Sequence, residues 1–172
     1  MAGIFCNVVA HNAIAMLSDV TLKRILNFSD HNMYQEKLQK FKNVENLAGK
    51  SWEHAVAIDV LSATDIKDCS IECFHYQQMM ELFFKHTLEA RSQFGSYSKT
   101  HKLQKLLEEV IANTKFTTDK TKYFMALQVI TVCAEEYRYN FLIDCEGYKQ
   151  SVTICDQLLE ELISFENGQT SK

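Results

Sequence analysis

The sequence predicts an all-α fold, an antiparallel up-and-down bundle of helices, and three observations lead there. The 172 residues contain no proline and only five glycines, whereas an antiparallel β fold needs turn chemistry every ten residues or so. Hydrophobic residues make up 47% and charged residues 23% of the chain, an ordinary balance that can build a full core. Gly49, Gly95 and Gly147 each fall between two stretches of helical periodicity, and Gly168 marks the end of the last.

In chain order, residues 8–28 read as a first helix, apolar at Val8, Val9, Ile14, Leu17, Leu22 and Ile25. A more polar second helix is expected over 33–47, a third from Trp52 to about Thr64, and a long fourth from Ile66 to Phe94. A fifth runs from Lys102 to Asn113. A sixth starts at Asp119, whose side chain can cap it, and ends near Tyr137; the last spans Tyr148 to Phe165. Thr100, in the turn at 95–101, is positioned to cap the fifth helix. Short connections favour antiparallel neighbours, and only 138–147 is longer, with Tyr137, Arg138 and Tyr139 meeting Asp144 and Cys145. The expected organisation is a helical N-terminal extension over 1–48, a bundle of four to five helices over 49–167, and a disordered tail at 168–172.

A formal charge of −4 and a pI near 5.9 argue against a broad electrostatic grip on duplex nucleic acid. A local basic patch remains at Lys99, His101, Lys102 and Lys105, with Lys120 and Lys122 further along. No signal peptide or membrane-length apolar run is expected, so the chain reads as cytoplasmic. In that compartment the six cysteines, at 6, 69, 73, 133, 145 and 155, are expected as reduced, buried small hydrophobes. Cys69 and Cys73 stand one helical turn apart near His75, but the spacing is not that of a zinc finger or ribbon. No metal and no cofactor is expected.

The most informative segment is 73–88. At 100° per residue, Phe74, Gln77, Gln78, Glu81 and Lys85 share one face of a helix whose other directions hold Met79, Met80, Leu82, Phe83, Phe84 and Leu88. A helix apolar over most of its circumference is buried. Its polar row must then find partners, since an unpaired buried polar group costs roughly 2–7 kcal/mol. One reading makes the row an internal network with Glu81 and Lys85 as an i,i+4 ion pair; the other makes it a pocket wall facing a nucleotide or a dimer mate.

Four segments in order resemble the HEPN superfamily of small helical domains: Trp52, Asp59 and Ala63; the ungapped row Phe74, Gln77, Gln78, Glu81 and Lys85; Thr100, His101, Leu103 and Leu106; and Arg138 with Tyr139, where Asn140 replaces the family's proline. The resemblance covers about residues 50–166 and implies a bundle of four or five antiparallel helices that pairs as a homodimer. Members include metal-independent ribonucleases of toxin–antitoxin and defence systems, partners of nucleotidyltransferases, and non-catalytic nucleotide-binding modules. The ribonuclease motif is Arg, four to six residues, then His. From Arg138 that histidine would fall at 143–145, where the chain has Ile143, Asp144 and Cys145, and no histidine follows His101. Arg24 and His31 match the spacing formally but lie outside the domain, and a surface position on the N-terminal hairpin is the better explanation of them.

The resemblance therefore implies a non-catalytic module that binds a nucleotide or RNA phosphate, with Arg138, Tyr139, His101, Lys102, Lys85, Glu81 and Gln78 as candidate ligand-binding residues and no catalytic set. Arg138 can fork onto a phosphate beside a stacking tyrosine, or, the reading ahead, it can pair with Glu81 or complement a helix C-terminus. His101, at a helix start, is either a phosphate neighbour or a half-exposed surface histidine. Two alternatives stay open: an adaptor subunit that partners a nucleotidyltransferase or defence-system protein, and a metal-independent ribonuclease with an atypical site using His101.

Overall fold

The computed structural model describes residues 33–64, 69–138 and 144–168. Helices α1 (Met33–Lys37), α2 (Leu47–Ser62), α3 (Ser70–Arg91), α4 (Leu103–Asn113), α5 (Lys120–Arg138) and α6 (Cys145–Glu166) account for the regular structure, with a 3₁₀ turn at Gln39–Phe41. There is no strand among the described residues, as the sequence predicts. The N-terminal helix expected over 8–28, with Arg24, His31 and Cys6, lies outside them.

The long helix α3 is the axis of the bundle. Tyr76, Met79, Met80, Phe83 and Phe84 are fully buried, packed with Ile58 of α2, Leu103, Leu106 and Leu107 of α4, Leu127 and Ile130 of α5, and Leu158 and Leu159 of α6. Side-chain contacts fix the helix directions. Ser51 donates to the Met79 carbonyl and His54 meets His75, so α2 runs antiparallel to α3. Tyr148 reaches Glu72 and Arg91 reaches Glu166, so α6 runs parallel to it. Tyr123, early in α5, donates to Glu161, late in α6, which makes that pair antiparallel.

One connection departs from strict alternation. His101 sits beside Gln77 and Glu81, while Ala112 and Asn113 share a cleft with Arg91 and Phe94. Helix α4 therefore runs in the same direction as α3, and the link over 92–102 returns along the outside of α3. Tyr97 beside Lys85, and then His101 beside Glu81, mark its course.

Several boundaries differ from expectation for identifiable reasons. Helix α2 begins at Leu47, capped by the Asn46 side chain, which accepts the N–H groups of Ala48 and Gly49. Gly49 is thus inside the first turn rather than between helices. A Cβ there would lie 1.8 Å from the Val44 carbonyl oxygen, so the close approach of the preceding turn requires glycine. Asp144 likewise starts α6 by accepting the N–H groups of Glu146 and Gly147, placing Gly147 within that helix. The single helix expected over 33–47 is broken: Asn43 takes a left-handed conformation, φ 64°, between the 3₁₀ turn and α2. Asp59 bonds the N–H groups of Tyr34 (3.1 Å) and Gln35 (2.8 Å), fastening α1 to α2. Tyr34, Leu38 and Phe41 are buried in the same core as the rest.

The expectation of wholly reduced cysteines is corrected at two positions. Cys69 and Cys145 form a disulfide that ties the start of α3 to the start of α6, Cα–Cα 5.7 Å. Nothing local in the sequence pairs residues 76 apart. Cys73, Cys133 and Cys155 are free and buried.

Candidate functional site

The polar row of α3 is buried and internally satisfied at its centre. Gln77, Glu81 and Lys85 are buried, and Gln78 is partly so. The Glu81 carboxylate accepts hydrogen bonds from four side chains: Lys85 Nζ at 2.8 Å, Gln77 Nε2 at 2.9 Å, Gln78 Nε2 at 3.3 Å and His101 Nδ1 at 2.9 Å. Gln77 also donates to the His101 carbonyl at 2.9 Å, so the start of α4 is pinned to α3 by backbone and side chain together. Burial pushes the Glu81 carboxyl up, but the bonds from Lys85 and Gln77, the Lys85 charge and the His101 bond outweigh it, and its pKa ends below the usual value. Glu81 is held as a carboxylate.

A carboxylate can only accept, so the partner nitrogen of His101 carries the proton. That assigns N–H to Nδ1 and leaves Nε2 as the free nitrogen on a side chain that is 58% exposed. The Lys85 ammonium lies 2.8 Å from Glu81 Oε1 and 5.5 Å from the centroid of the Tyr97 ring. Lys99 and Lys102 are exposed on either side of His101. The site is therefore a buried acid–amide–ammonium network with one imidazole at its surface and exposed lysines two residues before and one residue after it in the chain. Chemically, with Nδ1–H held by Glu81, the outer Nε2 accepts a proton or a hydroxyl hydrogen while the ring is neutral and donates to an anion only as imidazolium, with two exposed lysines next to it in sequence.

Of the residues singled out by sequence, Gln78, Glu81, Lys85 and His101 come together, with Lys102 adjacent. Lys85 is spent on Glu81 rather than offered to solvent. Arg138 is the last residue of α5, two turns beyond Thr131, or roughly 10 Å along the helix; its side chain, and all of Tyr139, lie outside the described residues. The expected cap of α4 is also different. Thr100 Oγ1 accepts the Lys102 N–H at 3.2 Å, one residue too early, while the Leu103 N–H is taken by Thr131 Oγ1 of α5 at 3.3 Å.

Two features escaped sequence reasoning. Tyr97 meets Lys85 only because the 92–102 link doubles back, which no local pattern announces. His54 and His75, one on each of α2 and α3, meet Nδ1 to Nδ1 at 2.8 Å beside Phe74. Burial, with the His75 charge adding and Glu81 opposing, pushes His54 down to about 4, and burial lowers His75 as well. Among the described residues no three His, Cys, Asp or Glu side chains gather into a metal cage. No helix among them is long and apolar enough to cross a membrane.

Comparison with known proteins agrees with the helical architecture. No curated protein and no solved structure matches the chain. A family model, the HEPN domain, matches residues 61–166, well over half of the chain and all of α3 through α6. With the polar row of α3, His101 at the head of α4 and Arg138 at the end of α5 all inside that span, the chain belongs to the HEPN domain family.

Proposed function

We propose that this chain is a non-catalytic HEPN module that binds a nucleotide or RNA phosphate at the exposed end of the α3 polar row. The observation that carries this reading is the clamp of Glu81 on His101 Nδ1, which aims a fixed imidazole outward among Lys99 and Lys102. His101, donating from Nε2 as an imidazolium held at Nδ1 by Glu81, and Lys102 are the direct anion ligands, and Arg138 and Tyr139 are carried as further candidate ligands on the family motif alone. Glu81, Gln78 and Lys85 act from behind, as the network that sets His101 in place. The non-catalytic reading rests on the absence of a histidine at 143–145, four to six intervening residues after Arg138. Pairing as a homodimer is part of the proposal, supported by Phe124, Met125 and Val132 exposed on one side of α5.

A nucleotide-induced melting shift and calorimetric titration with UMP test it. His101→Ala and Arg138→Ala should each weaken binding about tenfold or more. If both variants bind as the parent does, or if UMP produces no shift, the reading fails.

The Glu81–His101 contact also favours a second reading, a metal-independent ribonuclease in which His101 Nε2 moves the proton of the attacking 2′-hydroxyl. Cleavage of unstructured RNA in EDTA, abolished in His101→Ala, would replace the first reading with the second. Absence of cleavage removes the second.

A further inference from the structure

We infer that the 92–102 link and the head of α4 form a binding strip for single-stranded nucleic acid, in which Phe94 and Tyr97 stack on bases and Lys99, Lys102 and Lys105 hold phosphates. This rests on the phosphate-binding reading of His101 and Lys102 and extends it from a single nucleotide to a strand.

Composition supports it first. Between Arg91 and Lys105 the chain places four of its eighteen Lys and Arg residues and none of its twenty-two Asp and Glu. An acidic protein has thus kept one continuous basic stretch, and interleaved it with two aromatics. Both rings are outside the core: Phe94 is 75% and Tyr97 38% exposed. A single exposed ring is unremarkable. Two in the same basic connection supply what an unstacked strand needs, flat apolar surface beside cations.

The link itself is strung along α3. The link starts at Arg91 and returns past Lys85 at Tyr97 to Glu81 and Gln77 at His101. That is ten to fourteen residues of α3, about 15–21 Å at 1.5 Å per residue. Such a strip is long enough for several nucleotides, where a mononucleotide could touch only one end. At its far end Phe94, Arg91 and Lys115 line a cleft of about 440 Å³.

The cations are available. Lys99, Lys102 and Lys105 make no ion pair with a described carboxylate. Of the acids near the strip, Glu81 is held by four donors, Glu109 by the Ser98 N–H, Glu108 by Lys120 and Glu166 by Arg91, so Arg91 is already paired and the available cations are the three lysines. Duplex is disfavoured on two counts. Its bases are not free to stack on side chains, and three or four cations on a chain of charge −4 give little grip on its dense phosphates.

The test is fluorescence anisotropy on the full chain with 5′-labelled U12 RNA, T12 DNA and a 12-base-pair RNA duplex, with UMP titrated separately. U12 should bind at least tenfold more tightly than UMP or duplex. Phe94→Ala and Tyr97→Ala should each weaken U12 by roughly five- to a hundredfold, and the leucine variants, which keep apolar bulk without the ring, should do the same. Loss of each lysine should lower the slope of log Kd against log salt by about 0.7. T12 separates the sources of the shared chemistry: equal affinity assigns recognition to bases and phosphates, weaker binding adds the 2′-hydroxyl. Unchanged U12 binding in the Phe94→Ala/Tyr97→Ala double variant, or duplex binding as tightly as U12, overturns the strip. If UMP binds but U12 binds no tighter, the strip falls while the nucleotide reading stands; if neither binds, both fall.

Discussion

Replacing Glu81 with alanine should destabilise this bundle far more than a surface ion-pair deletion would. The Glu81 and Lys85 side chains are only 4% and 9% exposed, and their charged atoms are 2.8 Å apart. Truncating Glu81 strands the Lys85 ammonium in the bundle with only the Tyr97 ring for company, and removes the acceptor used by Gln77, Gln78 and His101. Breaking a buried pair from one side costs about 3–5 kcal/mol. At roughly 2–4 °C per kcal/mol for a chain of this size, the melting temperature should fall by about 6–20 °C. Removing both charges, as Glu81→Leu with Lys85→Leu, should cost much less than the alanine variant, because no buried ion remains. Urea denaturation with m-values reads the difference directly. The pH dependence has a fixed sign. Because the folded carboxyl lies below its ordinary 4.5, its contribution is complete above that pH and is lost as the pH falls through the lower folded value. The gap between the parent chain and Glu81→Gln should therefore narrow in acid. A Glu81→Ala loss under about 1 kcal/mol, typical of exposed pairs, would refute the view of Glu81 as the hub of a buried network.

His54, pushed down from 6.5 to about 4, refuses a proton that the unfolded chain accepts. Stability should therefore drop as pH falls from 6.5 toward 4, by up to about 3 kcal/mol; His54→Gln should flatten that portion of the urea-midpoint profile, and an unchanged profile would count against it. Gly49→Ala should lower stability by about 1–3 kcal/mol, because its Cβ would meet the Val44 carbonyl; a gain of the size expected from helix propensity alone would disprove the close approach. Opening the Cys69–Cys145 disulfide, which spans 76 residues, should cost about 4.5 kcal/mol in the loop-entropy description. Reductant should then shift the denaturation midpoint of the parent chain and leave Cys69→Ser unmoved, and a parent chain indifferent to reductant would contradict the link.

What could be read from the sequence was what depends on neighbours along one helix. The i,i+3 and i,i+4 row of Gln77, Gln78, Glu81 and Lys85 was visible because helical periodicity alone puts those residues together. Helix α4, expected at 102–113, runs from Leu103 to Asn113, and Asp119 starts α5 by accepting the Thr121 N–H. The misses share a different cause: each involves a partner distant in sequence or a steric need of the backbone. Gly49 and Gly147 looked like separators because glycine has no side chain to declare its reason, which at Gly49 is the Val44 carbonyl. Thr100 looked like the cap of α4, yet the bond to Leu103 comes from Thr131, 28 residues on. The same limit hid the Cys69–Cys145 disulfide, the His54–His75 pair, and the place of Tyr97 in the site.

The two roles assigned to the network can be separated because Glu81 belongs to both and His101 to one. Glu81 is enclosed and bonded to four side chains, so its loss should reduce stability and ligand affinity together. His101 is more than half exposed, and its contribution to the fold runs largely through its backbone carbonyl, which accepts from Gln77 whatever the side chain. His101→Gln should then cost less than about 1 kcal/mol of stability, since exposed charge pairs contribute little, while removing the ring nitrogen that faces the ligand. Glu81→Gln should cost more stability and also weaken UMP binding, because an amide no longer demands N–H on His101 Nδ1 and so no longer fixes the protonation of the outward nitrogen. Should His101→Gln destabilise the chain as much as Glu81→Gln while leaving UMP affinity intact, His101 would be a strut of the bundle, and the anion site would have to be sought at Arg138 alone.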